Sequence, residues 1–123
     1  MMKRKWQIIG CLMKENELVL QLPSDVNLEG ISACGQMLVD SDSVAFIYLL
    51  EQENEYVYLE IPQSIWLDCK RALEVNATFV LSNSNNSIEL VQFDEEMEYL
   101  IDNIQGNGNY GEKMGKEVEA IFL

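Results

Sequence analysis

The chain has 123 residues, of which 21 are Asp or Glu and 8 are Lys or Arg, giving a net charge of −13 and a pI near 4.1. Its length fits one α+β domain spanning residues 1–123, and an apolar fraction of 48% is enough for a cooperative core, which argues against disorder. Such an acidic surface repels phosphate, so direct binding to nucleic acid or to an anionic membrane is not expected.

Residues 1–14 hold Lys3, Arg4, Lys5 and Lys14 and no acid, which leaves a net of −17 downstream. Lys3-Arg4-Lys5 ahead of Cys11 superficially matches a lipoprotein leader. Only Trp6 to Gly10 separate the charges from that cysteine, and a secretory signal needs an apolar core of about 7–15 residues. Trp6–Met13 reads instead as a strand, joined through the polar Lys14–Glu17 to a second at Leu18–Leu22. Residues 24–35 form an irregular crossing. Gln36–Val39 begins a strand, Asp40–Ser43 turns, and the uninterrupted apolar run Val44–Leu50 suits a strand covered on both faces. After a charged loop at Glu51–Glu55, Tyr56–Ile61 alternates: Val57, Leu59 and Ile61 face the core, while Tyr56, Tyr58 and Glu60 share a half-exposed face.

Pro62 ends that strand and opens a helix with Ile65, Trp66, Cys69, Ala72 and Leu73 at helical spacing. Thr78–Leu81 and Ile88–Phe93 form a hairpin around Ser82–Ser87. Asp94 is the expected N-cap of the next helix, whose apolar stripe is Met97, Leu100, Ile101 and Ile104, and Gly106 stops it. The last helix turns Met114, Val118, Ile121 and Phe122 inward. The fold class is α+β, with a mostly antiparallel sheet followed by a C-terminal helix pair.

Chemistry-bearing motifs are few. The chain contains no His, the commonest acid–base group and metal ligand, and no G-x-S-x-G serine. Cys11, Cys34 and Cys69 are odd in number and scattered, which fits a reducing cytosol rather than a disulfide framework or a zinc site. Gly106-x-Gly108-x-x-Gly111 matches dinucleotide-binding spacing but follows a helix and has too little chain after it, so it reads as a helix-to-helix turn. Asp40-Ser41-Asp42 offers two carboxylates, fewer donors than a divalent cation needs, and reads as a turn. Asp94, Glu95, Glu96 and Glu98 read as a solvated helix start. No catalytic residue, metal ligand or cofactor site is assigned. The segment from Asn103 to Glu112, with three Asn, three Gly and Tyr110, supplies adaptable hydrogen bonds and one amphipathic ring. Asn103, Asn107, Asn109 and Tyr110 are therefore the candidate binding residues, the competing role of Tyr110 being to anchor the turn on the core.

Met37–Asp42, Phe46-Ile47-Tyr48, Ile61-Pro62 with Trp66, Glu98-Tyr99-Leu100, Asn103-Ile104, Gly106-Asn107, Asn109–Glu112, Val118-Glu119 and Phe122 occur together and in order. In these the chain resembles a small uncharacterised family of bacilli and their relatives, typified by YjbL. The resemblance runs from about Gly30 onward and is weak over the amino-terminal hairpin. It implies a cytosolic bacterial protein of one domain with no assigned activity. Relatives can carry His after the proline, where this chain has Gln63, so any His chemistry does not transfer; position 108 also varies among them.

The expected function is a non-enzymatic protein-binding or regulatory module in the cytoplasm, with an unidentified protein partner and a homodimer left open. The alternatives are an acidic nucleic-acid mimic that inhibits a basic protein, and an enzyme using carboxylates and a divalent ion.

Overall fold

The computed structural model describes residues 4–123, so Lys3 of the basic triplet lies outside the described residues. The strands are β1 Arg4–Gln7, β2 Gly10–Lys14, β3 Glu17–Gln21, β4 Ser32–Asp40, β5 Ala45–Gln52, β6 Glu55–Pro62, β7 Thr78–Ser82 and β8 Ser87–Glu89. The helices are α1 Trp66–Glu74, α2 Phe93–Ile104 and α3 Glu112–Phe122. The class is α+β, as the periodicities require, with α2 and α3 closing the chain.

The strands divide between two four-stranded sheets. Sheet A has the order β1-β6-β5-β4 and sheet B the order β2-β3-β7-β8. Each holds one parallel pair, β1 with β6 and β3 with β7; the other neighbours are antiparallel. The single strand expected at Trp6–Met13 is therefore two strands in two sheets. The chain changes sheets at Ile8-Ile9, where Ile8 enters the core and Ile9 is 67% exposed. An unbroken apolar run carries no mark of such a crossing, since both halves satisfy the same pattern.

Turn chemistry sharpened the other boundaries. Glu53 and Asn54 both hold positive φ, the primed geometry that joins twisted strands with two residues, so the charged loop shrinks and β5 and β6 each lengthen into it. β4 begins at Ser32 rather than Gln36 because a bulge between Ala33 and Met37, with Gly35 at φ 67, carries the strand through the expected crossing.

One core joins the two sheets to the three helices. Phe93 is fully buried and stacks on Phe79 of β7 at 4.1 Å and on Tyr48 of β5 at 5.7 Å. Trp66 packs on Phe46 at 5.2 Å and Phe122 at 5.8 Å, and its indole N–H donates to Ile61 O at 3.1 Å. Each such ring pair contributes about 0.5–1.5 kcal/mol beyond the area it buries. Phe93 also corrects the expected start of α2. It is the first helical residue rather than the end of a strand, and Gln92, at φ 60, takes the N-cap position in place of Asp94. Burying the phenyl ring outweighs the capping preference of the carboxylate. Asp94, Glu95 and Glu96 fall in the first turn, where the helix dipole favours them. The stripes expected to face inward do so: Met97, Leu100, Ile101 and Ile104 on α2, and Met114 and Val118 on α3, are buried, with Ile121 and Phe122 partly so.

Candidate functional site

The segment between α2 and α3 is held by its own side chains. Gly106 at φ 66 ends α2, and a turn of 3-10 helix at Gly108–Tyr110 leads to Gly111 at φ 90, the residue before α3. Asn107 Oδ1 accepts from the Asn109 N–H at 3.1 Å, and Asn103 Nδ2 donates to the Tyr110 hydroxyl at 3.3 Å. Tyr110 is half-buried against the core, Asn107 is half-buried, and Asn103 and Asn109 are exposed. The fold thus places the four candidate residues in one segment as two hydrogen-bonded pairs, Asn103 with Tyr110 and Asn107 with the backbone of Asn109. The glycine spacing serves a helix-to-helix turn.

The carboxylates divide by role. Glu96 leaves the solvated helix start and accepts the Met37 N–H of β4 at 2.9 Å, whereas Glu95 and Glu98 are exposed. Asp40 Oδ1 accepts from the Ser43 N–H at 3.2 Å, which makes Asp40-Ser41-Asp42 part of the β4–β5 turn. Among the described residues no three His, Cys, Asp or Glu side chains converge as a metal site. The thiols are unpaired. Burial pushes Cys11 up to about 11, with Asp68 adding to it, and raises Cys69 and Cys34 as well, so all three are poor nucleophiles at neutral pH.

A different surface emerges on sheet A. Register puts Leu38 and Asp40 of β4, Ala45, Ile47, Leu49 and Glu51 of β5, Tyr56, Tyr58 and Glu60 of β6, and Lys5 of β1 on one face. The ring contacts place all three helices on the opposite face, beside Phe46 and Tyr48. Ile47 and Leu49 are nevertheless only 4% and 5% exposed, although they lie outside the core cluster. The both-sided burial expected of Val44–Leu50 is present. Leu38 and Tyr56 stay open at 36% and 57% exposure.

This face is curved. Two strands separate β1 from β4, roughly 14 Å at about 4.8 Å per strand. Lys5 Nζ nevertheless lies 3.8 Å from Asp40 Oδ2 and 2.9 Å from Glu60 Oε2. The sheet coils to allow it, enclosing a groove of about 600 Å³ lined by Lys5, Leu38, Asp40, Asp42, Ile47 and Tyr58. The Glu60 hydrogen bond, outweighing partial burial, holds Lys5 above its ordinary range. Burial alone would raise Asp40, but hydrogen bonds from Ser43 and the charge of Lys5 win and leave it below the usual carboxylate range. The groove sets the carboxylates of Asp40 and Glu60 around the Lys5 ammonium, beside the apolar side chains of Leu38 and Ile47.

The Tyr56/Tyr58/Glu60 face and the Asp40–Asp42 turn are legible in the sequence, but their meeting with Lys5 is not. That depends on β1 pairing in parallel with β6, some fifty residues away, for which no local signal exists.

A family described as a family of unknown function, UPF0738, matches residues 6–122, which brings the amino-terminal hairpin within the likeness. A UPF0738 protein of Bacillus pumilus (strain SAFR-032) is 38% identical over 122 residues, covering 99% of this chain and 100% of its own. One from Geobacillus sp. (strain WCH70) is 44% identical over 97 residues, covering 79% and 78%. One from Bacillus thuringiensis (strain Al Hakam) is 36% identical over 123 residues, covering 99% and 100%. No solved structure matches the chain.

Proposed function

Because the chain belongs to UPF0738, a family of unknown function, we propose a role from its own surface: it is a non-enzymatic protein-binding module that makes contact through the concave outer face of sheet A. The observation that carries this reading is a sheet face that exposes Leu38 and Tyr56 and, among the described residues, has its helices on the opposite side. Exposed apolar and tyrosine side chains with charged groups around them are the composition of a protein contact surface. The Asn103–Glu112 loop fits this role less well, since Asn103, Asn107 and Tyr110 already hydrogen-bond within it.

A photo-crosslinking residue at position 38, in the native cell, is expected to capture a discrete protein that the same residue at the exposed position Tyr99 of α2 does not. Tyr56→Ala should abolish that capture while leaving the melting temperature within a few degrees, as surface changes do. Identical capture from both positions would defeat the reading.

A further inference from the structure

The groove on sheet A already holds a ligand-like group, the ammonium of Lys5. It lies 2.9 Å from Glu60 and 3.8 Å from Asp40, with Leu38 and Ile47 lining the same groove. We propose that Lys5 stands in for a Lys or Arg side chain of the partner, and that the partner docks on this face an extended segment of alternating basic and apolar residues. The inference rests on the binding role proposed above and names its chemistry.

Charge complementarity selects this occupant. Among the described residues the face carries Asp40, Glu51 and Glu60, with Asp42 on the adjoining turn, against Lys5 alone, whose charge Asp40 and Glu60 already share. Asp42 is exposed and makes no ion pair among the described residues, so one carboxylate stands open beside the occupied ones. A second copy of a chain at −13 would bring the same acidic rim against itself, and a phosphate-bearing partner would be repelled in the same way. A Lys or Arg stem meets the groove on both counts, its methylenes lying on Leu38 and Ile47 and its head reaching the carboxylates. An alternating segment presents such stems on one face at the 2-residue period of a strand.

The test titrates the isotope-labelled full chain with the peptide acetyl-Lys-Val-Lys-Val-Lys-amide and with its Glu-for-Lys counterpart, following backbone amide shifts. The Lys peptide is expected to move Leu38, Ile47 and Tyr58, to weaken with added salt, and to be matched by no response to the Glu peptide. Lys5→Ala removes an internal competitor and should tighten binding about two- to fivefold, the span of a surface ion pair. Asp42→Asn sits on an exposed turn with no ion pair to lose, so it leaves the fold intact and should weaken binding by a similar factor. Equal binding of both peptides, shifts centred on α2, or indifference to Lys5→Ala and Asp42→Asn would each overturn the proposal. If position 38 still crosslinks a protein while the Lys peptide fails, the partner chemistry is wrong and the binding role stands; failure of both removes the role itself.

Discussion

The Tyr48 hydroxyl donates to Val91 O at 2.7 Å and accepts from the Gly35 N–H at 3.3 Å, while its ring stacks on Phe93. One side chain thereby joins β5, the β4 bulge and the turn before α2. Tyr48→Phe keeps the ring and leaves both backbone partners unmatched, which should cost roughly 1–3 kcal/mol in a urea melt at pH 7. Burial pushes the phenol up to about 12, even though the Gly35 N–H favours the phenolate. The folded protein thus keeps a proton that the unfolded chain releases near 10.0, and stability falls as pH rises from about 10 to 12. Melts at pH 9 and 11 should show a larger loss for wild type than for Tyr48→Phe. An equal loss would place the alkaline sensitivity elsewhere. In the sequence Tyr48 is one of seven apolar residues in a row, so its burial was legible and its hydrogen bonds were not.

At the scale of elements, α2 and β4 meet through Glu96, which covers the Met37 N–H on an edge strand. Glu96→Ala should destabilise by about 1–2 kcal/mol, and Glu96→Gln, which keeps an acceptor, by clearly less. Protection of the Met37 amide in hydrogen exchange should fall in the same order. Ile101 lies on the buried stripe, and Ile101→Asp places a carboxylate there without a partner, which should lower the melting temperature by more than about 10 °C. An unchanged melting temperature would mean that α2 does not pack as described. The helices were the most legible elements, because Met97, Leu100, Ile101 and Ile104 repeat at the period that builds the stripe. Phe93 was not, because a helix can recruit an aromatic residue ahead of an acidic cap whenever a cavity between sheets awaits it. The Tyr56–Ile61 alternation foretold both faces of β6, yet only register joined Tyr58 and Glu60 to Lys5 and Asp40 in one groove.

At the scale of the molecule, 21 acids on 123 residues repel one another across the surface. Raising NaCl from about 10 to 100 mM shortens the screening length from about 30 to about 10 Å, and the melting temperature should rise by a few degrees. A fall would mean that ion pairs such as Lys5–Glu60 outweigh the general repulsion. Among the described residues no helix is long and apolar enough to cross a membrane.

The change of sheet at Ile8-Ile9 bears on how the chain is made. Arg4–Gln7 has no strand to join until Glu55–Pro62 has been synthesised, and Glu17–Gln21 lacks its second neighbour until Thr78–Ser82 follows. The β2–β3 hairpin can therefore form early, while β1, tethered to it by two residues, waits unpaired on the ribosome for a partner some fifty codons later. Translation speed between codons 7 and 60 then sets how long that strand is available to the wrong neighbour.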